Sequence, residues 1–254
     1  MLNGRIGVTL SFLRDGCAQC GRTYCSVGYS VSLIVGTRVY TLPCFLPKGR
    51  RKNVSFAVGH VALAYLLSWG SARLLHTKSN IAAIIALSVI PDVDILSEPF
   101  LQHRGVTHSI VVSFIVFVPV FVVYGKKAVP FFAALIQHSV LGDYFAGGSI
   151  QLFWPLTSQG FGINMPVYGI LNVVVEWLLF TLALIVLIVS KDIARFPQLH
   201  TSNIILCVPV FAVFLPSVFG FPLEVPFLLS LPHLAFLVLF SIGMLTGLVA
   251  WFSR

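Results

Sequence analysis

The sequence predicts an all-α fold, a polytopic transmembrane bundle of about six to seven membrane helices. Hydrophobic residues fill 57% of the 254 positions and charged residues only 9%, a balance outside that of soluble domains. Apolar runs recur on the scale of a bilayer crossing, roughly 20 residues for a hydrocarbon core about 30 Å thick. Most acidic and basic side chains fall between those runs instead of within them.

The first 53 residues stand apart. They hold eight basic residues against Asp15 alone, whereas from Val54 onward eight basic residues face seven acidic ones. The net charge of +8 therefore belongs mainly to this leader, and no nucleic-acid partner is expected for the remainder. Cys17, Cys20, Cys25 and Cys44 also lie here, but a single Cys-x-x-Cys spacing without a second pair or a surrounding βαβ pattern does not define a zinc or redox motif. Arg38 interrupts the moderately apolar 29–46 stretch, and no small-residue cleavage site follows it, which argues against a signal peptide. Lys48-Gly49-Arg50-Arg51-Lys52 can be encoded by a purine-rich run of the ribosome-binding kind, and Val54 by a GTG start. Residues 1–53 are thus expected to be disordered or to precede the native start. They are followed by a helical core at 54–160 and C-terminal membrane helices at 161–254.

Seven candidate spans follow the leader: 55–75, 80–96, 106–124, 128–145, 167–190, 202–221 and 225–252. The first, second and fourth are short or carry polar residues, so they are the candidates for helices half-buried inside the bundle. Tracing the runs as a serpentine places His60 at the start of the first and Asp92 and Asp94 at the end of the second. His103 and His108 come at the opening of the third, with His138 and Asp143 at the close of the fourth. All fall on one side. Glu176, about nine residues and 14 Å into the fifth run, should face the bundle, because a carboxylate facing lipid is costly. Arg73, Lys78, Lys126, Lys127, Lys191, Arg195 and Arg254 fall on the opposite side, which by the positive-inside rule turns the acid–histidine side away from the cytoplasm.

Imidazoles and carboxylates gathered without a nearby thiolate suit zinc, and also manganese or iron. Pro91 makes a regular helix unable to run undisturbed through Asp92 and Asp94, which leaves both carboxylates available for coordination. Each residue also has a structural role to weigh. His60 in an apolar helix can be a hydrogen-bonded core histidine, Asp92 and Asp94 can cap the next helix, and Asp143 can cap the helix end near Gly147-Gly148. Arg104 can pair with either aspartate or orient an anionic substrate. Convergence of separate segments is what favours a site. His76, His200 and His233 lack such convergence and read as interfacial residues.

Pro91-Asp-Val-Asp94, His103-Arg-Gly-Val-Thr-His-Ser109, Gln137-His-Ser-Val-Leu-Gly-Asp143 and Gln151-Leu-Phe-Trp-Pro155 together resemble the YdjM-like family of membrane-bound, metal-dependent hydrolases. The resemblance covers about 54–160. It implies a distant similarity to zinc-dependent phospholipase C and single-strand nucleases of multi-zinc helical architecture. By the same resemblance His60, Asp92, His103, His108, His138 and Asp143 are metal-ligand candidates, with Asp94 a further ligand or supporting group. One departure stands out: the family commonly places the later acid four residues after its histidine, but here Gly142 takes that position and Asp143 is five residues on.

The expectation is a multi-pass cell-membrane protein that binds one or more divalent ions, most simply zinc, and hydrolyses a phosphoester such as a phospholipid. Asp94 is expected to accept the water proton and Arg104 to stabilise developing negative charge, with Thr107 and Glu176 as supporting residues. Membrane lipids are its expected surroundings. The rival readings are a cation- or proton-coupled transporter and a non-catalytic scaffold tied together by metal. The ligand cluster at one rim and the lack of an internal repeat weigh against a transporter.

Overall fold

The computed structural model describes residues 6–11, 29–35, 38–44, 56–97, 103–220 and 224–253, with side chains from 56 onward except at 95–97. Contacts divide the chain into Met1–Arg51 and Lys52–Arg254. In the first unit, Ile6–Ser11 (β1), Tyr29–Val35 (β2) and Arg38–Cys44 (β3) form an antiparallel sheet in the order β1-β2-β3. Ile6 lies opposite Val35, and Tyr29 opposite Cys44. Cys17, Cys20, Cys25 and the proposed start at Val54 lie outside the described residues.

The second unit is helical apart from two isolated bridges. Its centre is α1 (Ala57–Leu74) with the short α2 (Ile81–Val89). Ala57, Ala62, Ala64, Ala82 and Ala86 are buried, and such small side chains let neighbouring helices approach closely. Asn80 starts α2 by accepting a hydrogen bond from the Ala83 N–H at 3.2 Å. Ser109 caps α3 (Ile110–Tyr124) in the same way through Val112 N–H. Phe180, Phe214, Phe236 and Phe240 close the core against α1 and α2. The outward residues of α3, of α5 (Ile170–Val189) and of the C-terminal helix Ser230–Phe252 are apolar, among them Ile115, Val122, Leu178 and Leu245. An apolar exterior around a packed interior is the arrangement lipid requires.

Among the described residues, four helical runs are long and apolar enough to cross a membrane, where six to seven were expected: Ile110–Asp143, Ile170–Val189, Thr201–Val218 and Phe227–Phe252. Of the seven candidate runs, the third and fourth join as one continuous helical run and the first two fall short of a crossing. Helix α2 has nine residues, about 14 Å, less than half a bilayer core. Helix α1 is longer but holds Ser68, Gly70 and Ser71 and is enclosed by the other helices. The run Ile110–Asp143 doubles back at Gly125, where φ is +56°, so that α4 (Val129–Gln137) returns along α3. Phe117 and Phe132 stack with centroids 4.1 Å apart, whereas 15 residues along a straight helix would separate them by about 22 Å.

Candidate metal centre

Four segments supply the site at the start of α1. Pro91 lacks an N–H, and the chain leaves α2 as a 3-10 helix, Ile90–Ser97. At three residues per turn, Asp92 and Asp94 point in different directions and serve different neighbours. A second 3-10 turn, Val106–His108, carries Thr107 and His108. It is pinned by Ser109, whose hydroxyl donates to the Trp154 carbonyl at 2.5 Å, and by Gln151 N–H on the Arg104 carbonyl at 3.0 Å. Helix α4 ends in a π-helical turn, His138–Asp143, closed by Tyr144 N–H on the Ser139 carbonyl at 3.1 Å.

That π-turn accounts for the five-residue spacing. Widening the helix by one residue brings Asp143 back beside His138, with Nε2 3.8 Å from Oδ2. Gly142 is required for another reason. A Cβ there would lie 2.0 Å from His60 Cε1, inside the imidazole ring of a neighbouring helix.

The convergence expected from the sequence is found. One donor atom each from Asp92, His108, His138 and Asp143 lies within 4.8 Å of the others, and all four residues are buried. His108 Nε2 is 3.1 Å from Asp143 Oδ2, 3.3 Å from His138 Nε2 and 3.6 Å from Asp92 Oδ1. His138 Nε2 is 3.4 Å from the same Asp92 oxygen. For bonds of about 2 Å, neighbouring ligands of a tetrahedral ion stand about 3.3 Å apart, so the donors have the right spacing.

Hydrogen bonds decide the tautomers. His138 Nδ1 is 2.7 Å from the Ser88 carbonyl, an acceptor only, so Nδ1 carries the proton. Thr107 Oγ1 donates to Asp94 Oδ2 at 2.6 Å and can therefore accept from His108 Nδ1 at 3.0 Å. Both Nε2 atoms then face each other and two carboxylates, one of which, Asp92 Oδ1, has no hydrogen-bond partner among the described residues. Such a set of acceptors fits a cation.

Asp94, His103 and His108 form a second close group. Asp94 Oδ1 is 2.8 Å from His103 Nδ1, while its other oxygen receives Thr107. Burial opposes the charge on Asp94, but His103, His108 and Thr107 together hold its carboxyl well below the usual carboxylate range. The same balance applies to Asp92, where burial is outweighed by His138 and His108. Burial also opposes a proton on His108, yet Asp143, Asp92 and Asp94 raise its pKa well above the ordinary imidazole value.

His60 stacks on His138 at 4.0 Å, with Nε2 3.5 Å from Asp143 Oδ1, at the edge of the four-residue set. Arg104, at φ +66°, pairs with Asp143 at 3.2 Å and donates to the Gly148 and Ala146 carbonyls. It thereby locks Asp143 to the following loop and does not pair with Asp92 or Asp94. Glu176 accepts from Gly59 N–H at 2.5 Å, capping the start of α1 one residue before His60. Gln137 donates to the His60 carbonyl at 3.1 Å. Sequence reasoning missed Ser88 and the part played by Gln137, and it singled out Gly142 only as the residue standing where an acid was expected. His233 is not interfacial: it is 3% exposed, with Nε2 2.8 Å from the Phe214 carbonyl inside the core.

A lipid-facing helical exterior around buried imidazoles and carboxylates with metal-ligand spacing defines an integral membrane protein with a candidate metal centre. Residues 56–221, more than half of the chain, match the model of the YdjM inner membrane protein family, and the chain belongs to that family. The match spans every segment of the centre and extends past the motifs that first carried the resemblance. No curated protein and no solved structure matches the chain.

Proposed function

We propose that the protein is a membrane-embedded, metal-dependent hydrolase acting on a phosphoester, with zinc as the simplest ion and a phospholipid as the simplest substrate. The observation that carries this reading is the buried Asp92–His108–His138–Asp143 set, in which the two imidazole Nε2 atoms are turned toward two carboxylates and one ligand atom of each residue lies within 4.8 Å of the others. When bound there, a divalent ion supplies Lewis acidity toward a phosphoryl oxygen and lowers the pKa of a water.

The chain's own residues have separable tasks. Asp92, His108, His138 and Asp143 would hold the ion, with His60 beside them. Ser88 and Thr107 fix the two imidazole tautomers, and His103 and Thr107 hold Asp94 in place. Both Asp94 oxygens are thus engaged, which supports an orienting role over the proton-accepting role first expected. Arg104 likewise supports Asp143 through its ion pair. Glu176 supports α1 through Gly59 and stands outside the donor set, which disfavours a proton relay through the membrane and with it the transporter reading. The basic residues at the far ends of α1, α3 and α5 support a site on the non-cytoplasmic side.

Metal analysis of the purified protein, followed by a panel of phosphodiester, phosphomonoester and phospholipid substrates, tests the proposal. The expected result is about one or more bound divalent ions per chain and hydrolysis abolished by chelation and restored by zinc. Bound metal with no hydrolysis of any panel member favours the scaffold. No bound metal removes the proposal. Thr107→Val should weaken metal binding about 10–100-fold with the fold intact, while Thr107→Ser should retain it, because the hydroxyl bridges His108 to Asp94 at 3.0 and 2.6 Å where their direct Nδ1–Oδ2 separation is 3.5 Å. Equal affinity in the two variants, read by competition with a chromophoric chelator, would refute the assignment of Thr107.

A further inference from the structure

At the end of α1 away from His60, about 20 Å along the helix, a cleft of about 530 Å³ opens between the start of α2 and the segment that follows α5. Lys78 and Arg195 stand in its wall with His200 and Ser202, while Ile81 and Phe131 give it an apolar side. No carboxylate lines it. Lys78 and Arg195 are also shared with a smaller adjoining cavity of about 250 Å³, where Arg73 adds a third cation. Asp192 is the acid in that second cavity and is already occupied: Tyr65 Oη donates to it at 2.8 Å and Arg195 Nε lies 3.3 Å away. Lys78 has no ion pair among the described residues.

The start of α2 borders the same space. The first N–H groups of α2, at Ile81 and Ala82, are not used within the helix, and both residues line the cleft. A helix start beside Lys78, which has no ion pair among the described residues, and beside Arg195, whose Nε is within ion-pair distance of Asp192, favours a phosphate group. The apolar side gives the cleft two characters, a cationic rim above hydrocarbon-compatible residues, which is the profile of an amphiphile lodged at a membrane surface. Nothing in the centre at His108 uses these residues.

We propose that this cleft is a phosphate-binding site, seating the headgroup phosphate of an anionic phospholipid between Lys78, Arg195 and the start of α2. Native mass spectrometry of the full chain, released from nanodiscs containing equal phosphatidylglycerol and phosphatidylcholine, tests it, with a parallel titration by inorganic phosphate. The expected result is retained phosphatidylglycerol in excess over phosphatidylcholine, with an occupancy that falls at least about fivefold in Lys78→Gln/Arg195→Gln. Lys126→Gln/Lys127→Gln, which removes equal charge outside the cleft, should leave occupancy unchanged. Saturable inorganic phosphate binding that is lost in the first variant without lipid retention would assign the same site to a soluble phosphate. Retention equal in all three proteins, or no preference for either phosphate source, would overturn the proposal. A thermal melt of each variant separates loss of the site from loss of the fold.

Discussion

Alanine in place of Asp92, His108 or His138 is expected to lower divalent-metal affinity by at least about 100-fold, since loss of a residue that merely orients a ligand already costs 10–100-fold. The effect should be largest for His108. Its Nε2 lies within 3.6 Å of all three partners, and its Nδ1 ties the four-residue set to Thr107 and Asp94. Metal content of the purified variants, measured with a thermal melt, checks this; unchanged metal in all three would refute the centre. A pH titration adds a second readout. A proton and a metal ion compete for His108 Nε2, and the surrounding carboxylates favour the proton up to an unusually high pH. Affinity should therefore strengthen as pH rises through that raised value and weaken as pH falls. His108→Ala should flatten the profile as well as lower it.

The site was legible in the sequence to a greater extent than the membrane topology. Its residues are polar groups at the ends of apolar runs, and their common side follows from chain direction alone, which survives errors in counting spans. The second run illustrates the point: α2 is too short to cross, yet Asp92 still arrives beside His138 because the helix reverses the chain's direction before Pro91. Shortness and polar residues already marked the first two runs as candidates for helices inside the bundle, but apolar composition alone did not, since a helix buried among other helices and one facing lipid are both apolar. The strands of 6–44 were missed because composition and charge dominated the reading of that segment. What the sequence did not reveal at the site were hydrogen bonds to main-chain carbonyls. Ser88 supplies such a carbonyl, and any residue type provides one.

Gly142→Ala should be the most damaging single methyl addition in the chain's helical unit. The new Cβ would overlap His60 at 2.0 Å, and His60 has little room to withdraw: it stacks on His138, and its carbonyl is held by Gln137. Overpacking of this kind typically costs about 1–3 kcal/mol. The alternative response, rotation of the π-turn, would carry Asp143 away from His138 and cost metal binding instead. Stability or metal affinity must therefore fall, and the two together report how the strain divides. His60→Ala/Gly142→Ala distinguishes a clash from a general intolerance of alanine at the π-turn, because removing the imidazole makes space for the methyl. The double variant should melt at a higher temperature than Gly142→Ala alone, a non-additive recovery expected only for side chains in direct contact. If the double variant is destabilised by the sum of the two single effects, the close approach of His60 to Gly142 is wrong, and with it the reason given for a glycine at that position.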